Sequence, residues 1–545
     1  MIRSFKGAAL ALALAGLATA AISPALAQKT SGPPLPHWAT GTASGVVFED
    51  TNADGAFDPD DRALAGIRVS NGRTIVRTGS DGRYTIPITD DCNIFVIKPR
   101  NYRTAVDENM LPRFYYTHKP NGSPESRFPG VAPTGPLPAS VDFPLTFDAE
   151  PDVFRAVFWA DPQPRDLKEI EYITHDVIEE LVGVDAAFGV TLGDIMFDDI
   201  SLFEEQNTRV AMIGIPWYNV IGNHDLNYDA REDKYSDETF ERVFGPNYYS
   251  FDYGPTHFIA LDDVNWYYDE GEKRGKYHGG LNKEQLEFVK NDLAMIPEDQ
   301  LVVLMMHIPL TNIGNRQELY RLIEQRPYCM SISGHTHYQE HKFVTQADGW
   351  KGPKPHHHAI NVTVSGSWWS GVKDERGIPH TTMRDGAPNG YSIITFNGTE
   401  YDIEFKAARF PADYQMNIMT PEEVVQAETG ATEVVVNVFG GSSHSSVEMR
   451  VAGGDWMPLE KVERVDPWFA AMKSREKKWV GSLEAEAAKE RVLPFGRTLP
   501  NGIKSSHLWA AKLPADLPVG KQLIEVRTTD MFGKTYTAER VIAVR

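Results

Sequence analysis

One short stretch of the chain places three side chains suited to acid–base and metal chemistry directly after a glycine. Residues 219–225 read Asn-Val-Ile-Gly-Asn-His-Asp, so Asn223, His224 and Asp225 follow an apolar, strand-like approach. Gly222 lets the backbone turn there without a Cβ clash. Such a stretch alone is only a polar turn, and its meaning depends on the other residues that the fold brings beside it.

Four further clusters of ligand-type residues also follow apolar runs. They are Asp161-Pro162-Gln163, Gly193-Asp194, His307 and Gly334-His335-Thr336-His337. With Asn223 they supply carboxylate, amide and imidazole ligands, a set that suits borderline divalent ions such as Mn, Fe, Zn or Co. These seven ligands are enough for two ions. His224 then remains as a candidate general acid.

The elements around these clusters indicate an α/β domain over residues 150–410. Helical spacing over 167–181 and an Asn282-capped helix alternate with strand candidates. Those candidates are 154–160, 187–192, 217–221, 257–261, 301–306 and 329–333, and a hairpin at 393–405 closes the domain. In such folds ligands gather at the carboxyl ends of the strands. Since every cluster lies just beyond a strand candidate, we expect the clusters to converge.

Short β runs flank this domain on both sides. We expect a signal peptide at 1–27, a Pro/Gly/Ser-rich linker at 28–40 and a β-sandwich domain at 41–147, with hairpin turns at Asn71-Gly72 and Asp81-Gly82. Residues 420–545 predict a second β-sandwich-like domain, interrupted by a helical insertion at about 468–491. The fold class predicted is therefore α/β with an additional β domain at each end.

An acidic loop in the N-terminal domain resembles an EF-hand calcium loop. In residues 50–61, Asp50, Asn52 and Asp54 occupy positions 1, 3 and 5, Gly55 occupies position 6, and Asp61 stands at position 12 in place of the usual Glu. Structural calcium is one reading of this loop. The other is an acidic turn between two strands.

Composition limits the classes of partner. The formal charge is −21 and the pI about 5.2, and no Lys/Arg-rich block occurs, which disfavours general nucleic-acid binding. The basic start, apolar stretch and Ala25-Leu26-Ala27 of the leader predict export, to the periplasm or the medium. No later run reaches the length of a membrane-spanning helix. The two cysteines, Cys92 and Cys329, fall in different predicted domains, so a disulfide framework is not expected.

The five clusters, in their order along the chain, resemble the motifs of the calcineurin-like metallophosphoesterase family over about residues 152–405. The resemblance implies a four-layer core, in which a β-sandwich is flanked by helices, and a dinuclear metal site. The ligands it implies are Asp161, Gln163 and His337 for the first ion, Asp194 as the bridge, and Asn223, His307 and His335 for the second.

The resemblance also implies the reaction. A hydroxide activated by the two ions would attack phosphorus, His224 would protonate the leaving group, and Asp225 would orient His224 through a hydrogen bond. Gln163 departs from the usual family pattern, which has His at this position. An amide oxygen is a harder and weaker ligand, so we expect a looser first ion or a bias toward Mn or Fe.

Exported bacterial members of the family resemble this chain in having a β domain on each side of the core, and in a His run followed by Gly-Ser-Trp-Trp-Ser-Gly. The run 356–358 could supply extra metal ligands, form a substrate-contacting loop or begin a strand. Trp368 and Trp369 could stack on an organic leaving group or pack in the core. Tyr228 and Asp229 could line the pocket, and Asp198 and Asp199, after Gly193-Asp194, are expected to be loop or supporting residues.

Together these features predict an exported metal-dependent phosphoesterase acting on a small-molecule or lipid-head-group phosphoester. The same ligands serve monoesters and diesters. A diester is slightly favoured, because the tryptophan pair could hold a second organic group. The alternative is a non-catalytic surface or ligand-binding protein with a relic metal site, in which the β domains would be the working parts.

Overall fold

The computed structural model describes residues 35–490 and 496–545. The predicted signal peptide and most of the predicted linker lie outside these residues. No helix in the described part of the chain is both long and apolar enough to cross a membrane.

The N-terminal region is built from short strands in two main sheets that share one apolar core. The strands are Gly41–Glu49, Arg62–Ala63, Arg68–Ser70, Ile75–Arg77, Arg83–Ile88, Cys92–Val96, Tyr102–Arg103, Ala105–Val106, Pro112–Arg113, Tyr115–His118 and Phe143–Phe147. Gly41–Glu49 pairs antiparallel with Arg83–Ile88 and parallel with Phe143–Phe147. The acidic loop 50–61 joins the first two strands.

Two larger sheets form the central region. One has the order Trp217–Val220, Phe188–Leu192, Val153–Trp159, Gly390–Asn397 and Glu400–Ala407, with the first three strands parallel. The other has the order Tyr249–Tyr253, Thr256–Ala260, Leu301–Met305, Cys329–Ser333, His356–Ile360 and Glu340–Val344, with a parallel centre. Parallel strands bring their carboxyl ends to one edge of a sheet, where ligands collect.

Helices cover the outer faces of these sheets. Along Val153–Trp159, alternate residues point to opposite faces. Phe158 joins the apolar cluster between the sheets, while Trp159 packs in a second cluster with Ile173, which lies on the outer helix. The helices are Leu167–Ile173, Glu179–Leu181, Phe203–Val210, Glu238–Phe244, Lys283–Leu293 and Arg316–Ile323. Asn282 caps the fifth of these by accepting the Gln285 N–H at 2.8 Å, as predicted.

The C-terminal region again forms two sheets over a separate apolar core. Its strands are Met416–Met419, Glu423–Val424, Glu433–Val438, Ser446–Val451, Met457–Pro458, Glu460–Val465, Lys504–Lys512, Gly520–Thr529 and Thr535–Val544, and its helix is Pro467–Glu490. A layered α/β core with a sheet-rich region at each end confirms the predicted fold class. The boundaries expected between the regions stay a prediction.

Buried polar contacts fasten the flanking regions to the core. Arg68 of the N-terminal region donates to Asp292 at 2.9 Å and to Asp252 at 2.6 Å, and His257 lies between the same two carboxylates. On the other side, His507 contacts the carboxylate of Asp385 at 3.0 Å. Cys92 and Cys329 are free thiols, as expected.

Candidate metal centre

The five clusters meet at the carboxyl ends of the parallel strands. Ligand atoms of Asp194, His307 and His335 all lie within 4.8 Å of one another. The His307 Nε2 atom is 3.2 Å from Asp194 Oδ1 and 3.1 Å from Asn223 Oδ1, and His335 Nδ1 is 3.1 Å from His307 Nε2. The three predicted ligands of the second ion therefore surround the predicted bridging carboxylate.

The predicted ligands of the first ion lie on the other side of Asp194. The amide nitrogen of Gln163 donates to Asp194 Oδ2 at 3.0 Å, and the Nε2 atom of His337 is 3.6 Å from Asp161 Oδ1. The backbone N–H of His335 donates to both oxygens of Asp161, at 3.1 and 2.9 Å. All seven predicted ligands therefore belong to one connected site.

Backbone carbonyls fix the tautomers of two histidines. Nδ1 of His307 donates to the Leu192 carbonyl at 2.9 Å, and Nδ1 of His337 donates to the Gly366 carbonyl at 2.6 Å. In each ring the remaining nitrogen, Nε2, then faces the carboxylates. A carbonyl on the far nitrogen is the usual support of a metal-binding imidazole.

Strained backbone is concentrated at this site. The ligands Asp161, Gln163, Asp194, His335 and His337 all have positive φ, between 46° and 76°. A non-glycine residue in the left-handed region costs about 1–3 kcal/mol and persists where the surrounding structure enforces it. The strain aims these side chains inward from the turns that follow each strand.

Two glycines of the motifs are needed for close approach. A Cβ on Gly222 would lie 2.0 Å from the Asp194 backbone nitrogen, and one on Gly334 would lie 2.4 Å from Asp161 Oδ2. Both contacts are far below van der Waals distance. The glycine before each polar cluster therefore lets two ligand-bearing turns touch.

The donor set fits divalent cations. Gln163 Oε1 is buried without a hydrogen-bond partner, and the buried carboxylates of Asp161 and Asp194 have no Lys or Arg paired with them in the described part of the chain. A buried oxygen without a hydrogen-bond partner and two buried carboxylates without a basic partner cost free energy unless a cation compensates them. A divalent ion supplies that compensation.

Two of the three histidine ligands are neutral at pH 7, the form that a metal ion binds. Burial raises the pKa of Asp161 to about 8. Burial also lowers the pKa of His335 to about 4 and of His337 to about 3, so both rings are neutral, the form that binds metal. Burial opposes protonation of His307 as well, but Asp194 outweighs it and raises the His307 pKa to about 10. Without an ion, the charge on His307 balances the Asp194 carboxylate; an ion bound at Nε2 would displace that proton and take over the same role.

His224 stands at the edge of the cluster and is partly exposed. Its backbone N–H donates to Asp194 Oδ1 at 2.9 Å, and its ring stacks on Phe197 with centroids 4.4 Å apart. Its Nδ1 atom contacts Asp198 Oδ1 at 2.6 Å. The Asp198 carboxylate thus holds one ring nitrogen, and Nε2 is left for a substrate.

The structure corrects the role expected for Asp225. Its carboxylate is fully buried and accepts the backbone N–H groups of Ile195, Met196 and Gly222, at 3.1, 3.0 and 2.8 Å. It therefore braces the two turns that carry Asp194 and Asn223, and it does not orient His224. The sequence indicated Asp198 and Asp199 only as loop or supporting residues and gave no sign that Asp198 is the partner of His224.

The tryptophan pair divides into two roles. Trp369 is 2% exposed and its indole N–H donates to the Pro162 carbonyl at 3.0 Å, so its ring packs in the core, the second of the two alternatives considered for it. The ring supports the turn between Asp161 and Gln163 instead. Trp368 is half-buried and stacks on His337, with centroids 3.9 Å apart.

The Tyr228 hydroxyl donates to the Asn223 carbonyl at 2.7 Å, beside the site. The run 356–358 is a buried strand, which is the third of the alternatives considered for it. Its ring nitrogens contact Ser331, Ser333, His341 and Tyr401.

The acidic loop 50–61 is exposed, and its side chains turn inward on the loop itself. Asp50 accepts the N–H groups of Ala53 and Gly55, at 2.7 and 3.0 Å. Asp61 accepts the Thr51 N–H at 3.0 Å, and Asn52 donates to Asp54 at 3.1 Å. The four predicted calcium ligands therefore share one loop.

Comparison with protein families gives three matches, one in each of the N-terminal, central and C-terminal parts of the chain. The profile described as Calcineurin-like phosphoesterase matches residues 159–339, and those described as the N terminal and the C terminal of Calcineurin-like phosphoesterase match residues 51–129 and 358–536. The three matches run in order along the chain and include every predicted metal ligand.

No curated protein matches the chain. Among solved structures, a purple acid phosphatase isolated from yellow lupin (Lupinus luteus) seeds is similar at 13% identity with a TM-score of 0.34, covering 67% of this chain and 72% of that one. The three consecutive family matches show that the chain belongs to the calcineurin-like phosphoesterase family, whose members are metal-dependent hydrolases of phosphoric esters.

Proposed function

We propose that the chain is an exported phosphoesterase whose catalytic centre is the cluster around Asp194. The observation that carries this proposal is the convergence of six ligand side chains on a seventh, the buried carboxylate of Asp194, with all seven drawn from five separate turns. Asp161, Gln163 and His337 would hold one divalent ion, Asn223, His307 and His335 a second, and Asp194 both. Bound there, the ions supply positive charge for the phosphate oxygens and lower the pKa of a water.

His224 would donate a proton from Nε2 to the leaving oxygen. Its Nδ1 is held by Asp198 and its ring by Phe197, so the ring presents only one nitrogen to a substrate. Burial acts to lower the pKa of His224, but the carboxylates of Asp194 and Asp198 raise it above its usual range. The acid form is thereby favoured near neutral pH.

Export and diester preference are further parts of the proposal. Export rests on the leader-like residues 1–27. Diester preference was favoured by two tryptophans and is now supported by Trp368 alone, because Trp369 is buried.

We also propose that Asp50, Asn52, Asp54 and Asp61 hold a structural calcium ion. A Tm of the wild type that is higher with calcium than with a chelator, and a Tm of Asp54→Ala that is the same in both, would support that site. A wild-type Tm that is the same with calcium and with a chelator would exclude it.

The test uses the mature protein with p-nitrophenyl phosphate and bis-p-nitrophenyl phosphate, with and without added Mn²⁺. We expect turnover of at least one ester, and the ratio of the two rates assigns the preference. His224→Ala and Asp194→Asn should each lose most of this activity. Full activity in both variants would mean that the proposed site is wrong. A wild-type protein inactive with every added metal would favour the non-catalytic binding protein instead.

A further inference from the structure

Two aromatic rings cover flanks of the metal centre, and a guanidinium lies over each. On one flank Trp368 stacks on His337, and the Cζ atom of Arg384 is 6.0 Å from the Trp368 ring centroid. On the other flank, Phe197 stacks on His224, and the Cζ atom of Arg165 is 4.1 Å from the centroid of the Phe197 ring. One aromatic ring therefore separates each guanidinium from the histidine beside it: Trp368 lies between Arg384 and His337, and Phe197 lies between Arg165 and His224.

Arg165 links the two flanks. Its Nη1 atom donates to the Trp368 carbonyl at 3.1 Å and pairs with Glu169 at 3.4 Å. Its Nε atom is buried and has no hydrogen-bond partner among the described residues. This guanidinium is therefore held in place by Phe197, Trp368 and Glu169 while part of its donor capacity stays unused.

The C-terminal region brings a third arginine to the same rim. The Arg497 carbonyl accepts the Gly371 N–H at 2.8 Å, close to the tryptophan pair. The Arg497 guanidinium lies within electrostatic range of both Arg165 and Glu169. Arg497 and Arg165 thus lie near enough to repel each other.

Their charge is only partly balanced. Arg384 donates to the backbone carbonyl of Asn501 at 3.3 Å, and neither Arg384 nor Arg497 forms an ion pair with a carboxylate in the part of the chain that the structure describes. Three arginines lie near three carboxylates: Glu169 pairs with Arg165, Asp166 acts on Arg165 electrostatically, and Glu476 accepts the N–H groups of Val372 and Leu499. Like charges brought together in this way are stabilised by an anion that binds between them.

We propose that Arg165, Arg384 and Arg497 bind a second anionic group, a carboxylate or a phosphate, on the organic part of the substrate. The guanidiniums of Arg384 and Arg165 lie over the Trp368 and Phe197 rings, a position that suits a group beyond the scissile phosphate. The substrate class is then a phosphoester whose organic part is itself negatively charged. This inference rests on the proposed function.

The test measures inhibition of p-nitrophenyl phosphate hydrolysis by three phosphonates of one chain length. Propylphosphonate has no second anion, 4-phosphonobutyrate carries a carboxylate at the end of the same three-carbon chain, and propane-1,3-bisphosphonate carries a second phosphonate there. In the wild type we expect either doubly anionic inhibitor to bind about tenfold tighter than propylphosphonate, as one or two charge-assisted contacts predict. Which of the two gains more identifies the group that the rim prefers.

Variants locate the effect. Arg384→Gln and Arg497→Gln should each reduce the ratio of inhibition constants about threefold to fivefold, while Arg384→Lys retains more of it than Arg384→Gln. Arg464→Gln, which removes a partly exposed arginine elsewhere in the C-terminal region, should leave the ratio unchanged. Because each ratio compares inhibitors on one protein, it is independent of the amount that folds.

The two possible failures are distinct. An active wild type with equal inhibition constants for all three phosphonates, or a ratio that both glutamine variants preserve, would overturn the arginine site and leave the phosphoesterase proposal standing. A wild type without hydrolytic activity under any metal would remove the proposed function itself, and with it the substrate class inferred here.

Discussion

Asp198→Asn tests whether the orienting carboxylate of His224 is Asp198. The Nδ1–Oδ1 contact of 2.6 Å is a charge-assisted hydrogen bond, which is worth about 1.5–3 kcal/mol when shielded from water. The Asp198 side chain is 50% exposed, and screening reduces its value to about 1 kcal/mol. A loss of that size in the transition state lowers the rate about fivefold. Unfolding should be almost unaffected, because the side chain is at the surface.

The assay compares an alkyl phosphate with p-nitrophenyl phosphate. An alkoxide leaves poorly without a proton, whereas p-nitrophenolate is a stable anion. Asp198→Asn should therefore slow the alkyl ester about fivefold and the p-nitrophenyl ester much less. Asp199→Asn is the matched control, since it removes one neighbouring charge that contacts Ser201 and not His224.

Asp225→Asn should behave differently. It replaces a fully buried carboxylate that accepts three backbone N–H groups, and the new amide nitrogen would face donors. We expect a loss of about 3 kcal/mol in the free energy of unfolding and a Tm lower by about 5–10 °C, with both esters slowed alike. The reasoning is refuted if Asp225→Asn slows only the alkyl ester at unchanged Tm while Asp198→Asn slows neither.

Three further outcomes are expected. Gln163→Ala should lower the affinity for the first metal ion about tenfold, and Gln163→His should raise it, because imidazole is the better ligand for borderline ions. Titrating activity with metal measures both affinities. Gly222→Ala should abolish activity, because its Cβ would lie 2.0 Å from the Asp194 nitrogen, and circular dichroism with metal analysis reports the cause. Burial lowers the pKa of His257, but the carboxylates of Asp292 and Asp252 outweigh burial and raise it. The stabilisation that protonated His257 gives the fold is therefore fully present below the pKa of histidine in the unfolded chain. It is lost as the pH rises through the pKa of His257 in the folded protein. The fall in Tm above neutral pH should accordingly be smaller in His257→Asn than in the wild type.

Each has a result that would contradict it. Equal metal affinity in wild type, Gln163→Ala and Gln163→His would show that the amide oxygen is no ligand. A fully active Gly222→Ala would mean that the two turns do not touch. A His257→Asn protein whose Tm depends on pH as steeply as that of the wild type would place the titrating group elsewhere.

The fold class and the convergence of ligands could be predicted from the sequence because both follow from local patterns. Apolar runs of strand length alternate with helical spacing, and the ligands come at strand ends, where topology alone brings them together. Asn282 at the start of a helix is likewise a local signal. These inferences needed no knowledge of which strands are neighbours.

The errors concern contacts that leave no local trace. The Trp369 indole reaches Pro162 across 207 residues, so nothing beside Trp369 indicates that its ring is buried. Asp225 is adjacent to His224 in sequence, yet the turn directs its carboxylate toward backbone N–H groups. The His224 ring is instead contacted by Asp198, whose own backbone has a φ of 62°. The arginine rim combines residues from two regions of the chain.

The central claim is that the cluster around Asp194 binds the ions that hydrolyse the ester. Its most direct test is the metal content of the purified mature protein, measured beside that of Asp194→Asn, with activity recorded on the same samples. We predict about two transition-metal ions per wild-type chain, a content well below that in the variant, and activity that follows the metal. Equal metal content in the two proteins, or activity that survives complete removal of metal, would contradict the account.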